Sequence, residues 1–177
     1  MTERVNPDAD ILSMIRAAFV SCTRPAHFTD HKHCKECLEH NELLRARNLE
    51  TLTIADVGNL GWTPIPFTTA GAFCYLFPAL ARLSLDEPDD FYGWYFPELL
   101  FFLTLRDLEN EHLRHFTAEQ RHAVVAFLRY ASVTRRQLII AFRCKADLTK
   151  AINLWTQNVG GGPNPATGAR KLRSDRQ

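Results

Sequence analysis

The sequence has no long hydrophobic run and no excess of charge of one sign. Its 177 residues carry 21 basic and 20 acidic side chains, a formal net charge of +1. Charge alone therefore does not make the chain a binder of nucleic acid. The longest apolar stretch, residues 94–105, is interrupted by Pro97 and Glu98 and is shorter than the roughly 20 residues of a transmembrane helix. We expect no membrane span.

Standard enzyme signatures and a disulfide framework are also missing. The sequence contains no P-loop, no Gly-x-Gly-x-x-Gly fingerprint and no Gly-x-Ser-x-Gly elbow. Its five cysteines, an odd number without regular spacing, are not typical of a small secreted domain. Residues 1–8 lack the basic and apolar regions of a secretion signal. These absences predict a cytoplasmic, non-enzymatic protein with reduced thiols.

The composition is that of a globular domain, because 46% of the residues are apolar and 23% are charged. Apolar residues recur at helical spacing, so we predict an all-α fold: one compact multi-helix domain over 1–157, with irregular connections rich in Gly and Pro. The expected helices run from Pro7 to about Cys22, over 38–48, from Thr68 or Thr69 to Leu85 with a kink or restart at Pro78, over 96–105, and from Thr117 onward with breaks near 132–134 and 144–147. Residues 158–177 are predicted to form a flexible basic tail.

Histidine and cysteine are concentrated in one short segment. The fourteen residues from His27 to His40 hold four of the seven histidines and two of the five cysteines. Two thiolates separated by two residues, as in Cys34-x-x-Cys37, can reach one tetrahedral zinc ion from a tight turn. His40 is the expected third ligand, and His31, His33 or His27 the fourth. The segment is thus a candidate structural zinc clamp.

Two other interpretations of the same segment stay open. In a helix that begins near His33, Cys34 and Cys37 would lie on an ordinary core stripe with Leu38 and Leu44. A redox dithiol would need a preceding strand and a helix N-terminus to lower the pKa of the first thiol. The polar residues before Cys34 do not predict such a strand.

A turn with four carboxylates precedes a group of aromatic residues and is the candidate partner-binding surface. Aromatic side chains beside charge are typical of protein interfaces. The predicted contact residues are Asp86, Glu87, Asp89, Asp90, Tyr92 and Trp94. Two pairs with the spacing Glu-x-x-His, Glu109 with His112 and Glu119 with His122, are interpreted as surface charge, because the capping signal at Thr117 separates them.

Several ordered motifs resemble a family of short, mostly helical bacterial proteins of unknown function. The matching residues are Arg24-Pro25, His27-Phe28, His33-Cys34, Glu36-Cys37, Glu39-His40-Asn41, Gly58-Asn59, Gly61-Trp62, 77–83 and Asp89-Asp90. The resemblance implies a bacterial cytosolic protein, and small helical proteins in that setting often act by binding partners.

The sequence as a whole thus predicts a non-enzymatic protein that binds a macromolecular partner. The more specific prediction is an immunity protein that neutralises a toxin. The alternative is a metal-dependent enzyme or thiol redox protein that uses Cys34, Cys37 and His40.

Overall fold

Helices account for the regular structure of the computed structural model, which describes residues 7–59 and 61–157. Within these residues there are nine α-helices and no strand beyond two isolated β-bridges, so the all-α prediction is confirmed. The helices are α1 (Ala9–Ala18), α2 (Lys35–Arg45), α3 (Ile54–Val57), α4 (Ala70–Leu85), α5 (Phe96–Thr104), α6 (Glu111–His115), α7 (Ala118–Thr134), α8 (Arg136–Ala141) and α9 (Lys145–Gln157). The predicted tail, 158–177, lies outside the described residues.

The central helix is α4, which is buried on nearly every side. The Thr69 side chain caps it by accepting a hydrogen bond from the Ala72 amide at 3.2 Å. Twelve of its 16 residues are buried. The helix continues through Pro78, so the alternative of a restart there is wrong. Burial on all sides offsets the loss of one backbone hydrogen bond at the proline.

Helices α1, α5 and α6 pack against α4, and the two long C-terminal helices pack against this group. Helix α7 contacts α1 and α9, and α5 contacts α4 and α9. Phe77 of α4 lies at the middle of an aromatic core, with ring centroids 4.7 Å from Phe19, 5.8 Å from Phe116 and 6.3 Å from Phe127. Such contacts stabilise a core beyond the burial of their area.

The C-terminal third follows its predicted caps and breaks. Thr117 and Gln120 form the predicted capping box at the start of α7. The long helical pattern is interrupted after Thr134 and again over 142–144, where Arg143 takes a left-handed conformation with φ of 55°. The pattern is thus broken twice as predicted, at Arg135 in place of 132–134 and over 142–144 in place of 144–147.

The prediction that all thiols are reduced is wrong for one pair. Cys22, which follows α1, and Cys74 of α4 form a disulfide with their Cα atoms 5.9 Å apart. Cys34, Cys37 and Cys144 are free. Among the described residues, no helix has the length and apolar character needed to cross a membrane.

Candidate metal and thiol site

The Cys34-x-x-Cys37 motif lies at the beginning of α2. Cys34 is the N-cap residue, with extended backbone angles (φ −160°, ψ 170°). Its Sγ accepts a hydrogen bond from the Cys37 amide at 3.3 Å, the role that a Ser or Asp side chain plays at other helix starts. The helix N-terminus that the redox interpretation required is therefore present, whereas the segment before it is a loop. Cys34 is exposed and does not belong to a core stripe, while Cys37 is buried.

His33 completes a group of three donors. The two Sγ atoms lie 3.2 Å apart, and Nδ1 of His33 lies 3.8 Å from Cys37 Sγ. The donor atoms of His33, Cys34 and Cys37 all lie within 4.8 Å of one another. Two thiolates on a tetrahedral zinc, with Zn–S bonds of about 2.3 Å, are about 3.8 Å apart. The observed separations of the donor atoms are close to this value.

The local hydrogen bonds give the two thiols opposite pKa shifts. Bonds from the Cys37 amide and thiol, together with His33, hold the pKa of Cys34 below its ordinary value. The pKa of Cys37 is raised by its bond to Cys34 and by burial. The Cys34 sulfur in turn raises the pKa of His33. An exposed thiol of low pKa at a helix N-terminus is the form of cysteine that reacts and binds metal.

The loop before α2 is held in place by contacts that do not involve a metal. Phe28 is fully buried, and its amide donates to Asn41 Oδ1 of α2 at 2.8 Å. The Thr29 hydroxyl donates to the Cys37 carbonyl at 2.7 Å. The Arg24 guanidinium lies 5.6 Å from the centroid of the Phe28 ring. A metal at Cys34 and Cys37 would therefore join a loop that is already fixed.

The remaining histidines of the segment lie outside the three-donor group. His27 and His31 stack on each other with centroids 3.8 Å apart. His40, the expected third ligand, is fully buried, with its ring 4.7 Å from that of Trp62 and 4.9 Å from that of Phe67. Spacing along the chain made His40 a candidate, but the group of donors that the fold assembles contains His33 in its place.

The predicted partner surface is divided between solvent and core. Glu87 and Asp90 are exposed, and Asp86 lies 3.8 Å from Arg82. Asp89 orders the turn by accepting hydrogen bonds from the amides of Phe91 and Tyr92 at 2.8 Å. Trp94, in contrast, is a core residue, 4% exposed, and its Nε1 donates to the Ser84 carbonyl at 3.0 Å. It is not available to a partner, whereas Phe91, which was not among the predicted contacts, is 83% exposed.

The two Glu-x-x-His pairs differ in their environments. Glu109, Glu119 and His122 are exposed, in agreement with the surface interpretation. His112 is half-buried: its ring stacks on Phe73 at 3.9 Å, and its Nδ1 is buried without a hydrogen-bond partner among the described residues. Burial, with a smaller effect from His115, lowers the pKa of His112 to about 4. The Glu-x-x-His spacing carried no sign of this burial.

The family model of DUF6714, described as a family of unknown function, matches residues 7–159. The chain belongs to this family. No curated protein and no solved structure matches the chain. Membership in DUF6714 confirms the resemblance to a family of unknown function. It assigns no activity, so a function can be proposed only from the three-donor group and the surfaces of the fold.

Proposed function

We propose that the protein binds one zinc ion through His33, Cys34 and Cys37. The observation that carries this proposal is the convergence of two thiols and one imidazole nitrogen within 4.8 Å at the start of α2. Thiolate and imidazole together favour zinc over the hard cations that prefer oxygen ligands. With His40 packed against aromatic rings, three donors come from the protein, and the fourth position is left for water or for a donor from a bound molecule.

Elemental analysis of protein purified without a metal-affinity tag tests this ligand set. We expect about one equivalent of zinc, lost in the Cys34→Ser, Cys37→Ser double variant and reduced in His33→Ala, since each removes donors to the same ion. The buried free cysteine Cys144 supplies a matched control, because Cys144→Ser should keep the metal. His40→Ala should keep it as well, provided that circular dichroism shows the variant to be folded.

Two results would contradict the proposal. Equal zinc in the wild type and the double variant would mean that the cysteines do not hold the metal. Loss of zinc in a folded His40→Ala variant, with zinc kept in His33→Ala, would mean that His40 binds the metal and His33 does not. Because Phe28 and Thr29 fix the loop without a metal, the zinc-free double variant is expected to remain folded.

A second candidate function for the same residues is thiol redox chemistry. The 3.2 Å separation of the two Sγ atoms, with Cys34 exposed at the N-cap of α2, favours it. The Cys34 thiolate would attack a disulfide oxidant such as glutathione disulfide and release one glutathione thiolate. The Cys37 thiolate would then displace the second glutathione, leaving a Cys34–Cys37 disulfide and two reduced thiols. Zinc-free protein that forms this disulfide quantitatively would favour this function over zinc binding.

We further propose that the protein is a non-enzymatic bacterial protein that binds a protein partner through the turn at 86–91. Exposed carboxylates of Glu87 and Asp90 beside the exposed ring of Phe91 support this. Such a surface is complementary to a basic partner with an apolar pocket. A toxin with a basic surface fits this chemistry, and the protein would then be its immunity protein.

An affinity experiment in the native host tests the partner proposal. Tagged wild-type protein should recover one partner in stable stoichiometry, and the Asp90→Asn, Phe91→Ser variant should recover at least about tenfold less of it, because the central aromatic anchor and one charge are removed. Glu119→Gln, which changes an exposed carboxylate on α7, is the matched control. A partner retained equally by both variants would place the interface elsewhere, and a protein that stays without a partner would refute the proposal.

A further inference from the structure

A cleft of about 360 Å³ lies on a different part of the molecule from the cysteine cluster. Its walls come from α3, from residues 92–95, from the first turns of α5 and from Phe142 at the end of α8. The backbone of Gly93 enters it with φ of +73°, a left-handed conformation that favours glycine. The volume is at the lower end of the range for small-molecule sites, about 300 to 1,000 Å³.

Two aromatic rings form an exposed apolar wall of this cleft. Phe101 of α5 is 53% exposed and Phe142 is 40% exposed. Pro97 and Ile54 also line the cleft. Large apolar side chains that remain exposed around a concavity are typical of binding surfaces, because covering them with a ligand removes them from water.

Two polar side chains that line the cleft, Tyr95 and Glu98, have no hydrogen-bond partner in the described part of the chain. Tyr95 is 2% exposed, and its hydroxyl has no hydrogen-bond partner there. Buried hydroxyl groups in folded proteins almost always have such a partner. Glu98 is partly buried, and no ion pair or hydrogen bond to its carboxylate is found among the described residues. Burial raises the pKa of Glu98, and its carboxylate is close enough to raise that of Tyr95.

The side chains that line the cleft carry charge of one sign. Its ten lining residues include one acid, Glu98, and no basic residue. The exposed carboxylates of Glu87 and Asp90 precede the lining residues Tyr92 and Gly93 along the chain. A negative potential in a partly dehydrated cleft attracts cations and repels carboxylates.

We propose that this cleft binds a small organic cation, a protonated amine carried on an aromatic or aliphatic body. The ammonium group would form an ion pair with Glu98. The apolar body would lie against Phe101 and Phe142. This arrangement supplies a partner to the Glu98 carboxylate and covers both exposed rings. It does not depend on zinc at Cys34 and Cys37.

Titration of isotopically labelled full-length protein, followed by amide chemical shifts, tests the proposal with three probes of similar shape. 2-Phenylethylamine should give saturable shifts at residues of the cleft, whereas 3-phenylpropanoate, which carries a carboxylate on the same ring, should give none. The neutral 2-phenylethanol should bind at least about tenfold more weakly than the amine, since it forms no ion pair.

Variants separate the charge from the shape of the cleft. Glu98→Gln should weaken the amine at least about tenfold and remove its advantage over the alcohol. Glu119→Gln, outside the cleft, should change nothing. The proposal is overturned if the amine causes no saturable shifts there, if the carboxylate or the alcohol binds as tightly as the amine, or if Glu98→Gln leaves its affinity unchanged.

Discussion

Reducing the disulfide between Cys22 and Cys74 is expected to lower the free energy of unfolding by about 4 kcal/mol, given the 52-residue separation of the two cysteines. The bond restricts the unfolded chain, and the entropy lost there grows with the length of the closed loop. For a chain of this size, that loss corresponds to a fall in Tm on the order of 10 °C. Chemical denaturation with and without a reductant measures it.

Thiol counting and variants give this prediction its controls. Protein unfolded without a reductant should show three free thiols, those of Cys34, Cys37 and Cys144. In the Cys22→Ala, Cys74→Ala variant a reductant should have no further effect, while the Cys34→Ser, Cys37→Ser variant should respond as the wild type does. Five free thiols in protein taken directly from cells would refute the prediction. They would also fit the cytoplasmic location predicted from the sequence, because cytoplasmic thiols are kept reduced.

The Cys22–Cys74 disulfide also shows which features cannot be predicted from a single sequence. The starts of α4 and α7 could be predicted because their causes are local: Thr69 caps α4, and Thr117 with Gln120 forms a capping box. Cys22 and Cys74 are brought together by the packing of α1 against α4. In a single sequence, nothing local distinguishes two distant cysteines that meet from two that do not.

The same distinction between local and distant causes applies to the candidate metal site. Cys34, Cys37 and the adjacent His33 were within reach of sequence reasoning, because the donors belong to one turn and depend only on where α2 begins. The position of His40 outside the three-donor group could not be predicted, since its ring packs against Trp62 and Phe67 from a distant segment. The burial of Trp94 likewise depends on contacts with Ser84 and Phe96 from the two flanking helices.

The second large effect that we expect is acid destabilisation caused by His112. Its pKa of about 4 in the folded protein lies below the ordinary value of 6.5, so only the unfolded chain takes up this proton between those two pH values. Stability contributed by the neutral ring is fully present above about pH 6.5 and is lost as the pH falls toward 4. The total loss is about 3 kcal/mol, since a pKa that differs by one between the folded and unfolded chain corresponds to about 1.4 kcal/mol.

The physical reason lies in the contacts of the ring. A proton added to Nδ1 would place a charge on a buried nitrogen that has no acceptor among the described residues. The ring face is covered by Phe73, and His115 adds a second repulsive charge when it is protonated. Arg106 and Glu111 line the same cavity as His112. Because they carry opposite charges, their effects on the pKa of His112 oppose each other.

Urea unfolding at pH 7 and pH 4, compared between the wild type and His112→Phe, isolates the effect of this residue. The variant keeps an aromatic ring against Phe73 but does not titrate, so its stability should fall by about 3 kcal/mol less over this range than that of the wild type. His122→Phe, which replaces an exposed histidine, should retain the full acid response. An equal acid response in His112→Phe and the wild type would contradict the prediction.

Acid sensitivity that arises elsewhere cancels in this comparison. Burial alone would raise the pKa of Asp56, but hydrogen bonds from Arg47 and Thr53 outweigh it and hold that pKa below its ordinary value. The stability that this carboxylate contributes is also lost as the pH falls, in the wild type and the variant alike. Both proteins carry the same Asp56, so the difference between their pH profiles reports His112 alone.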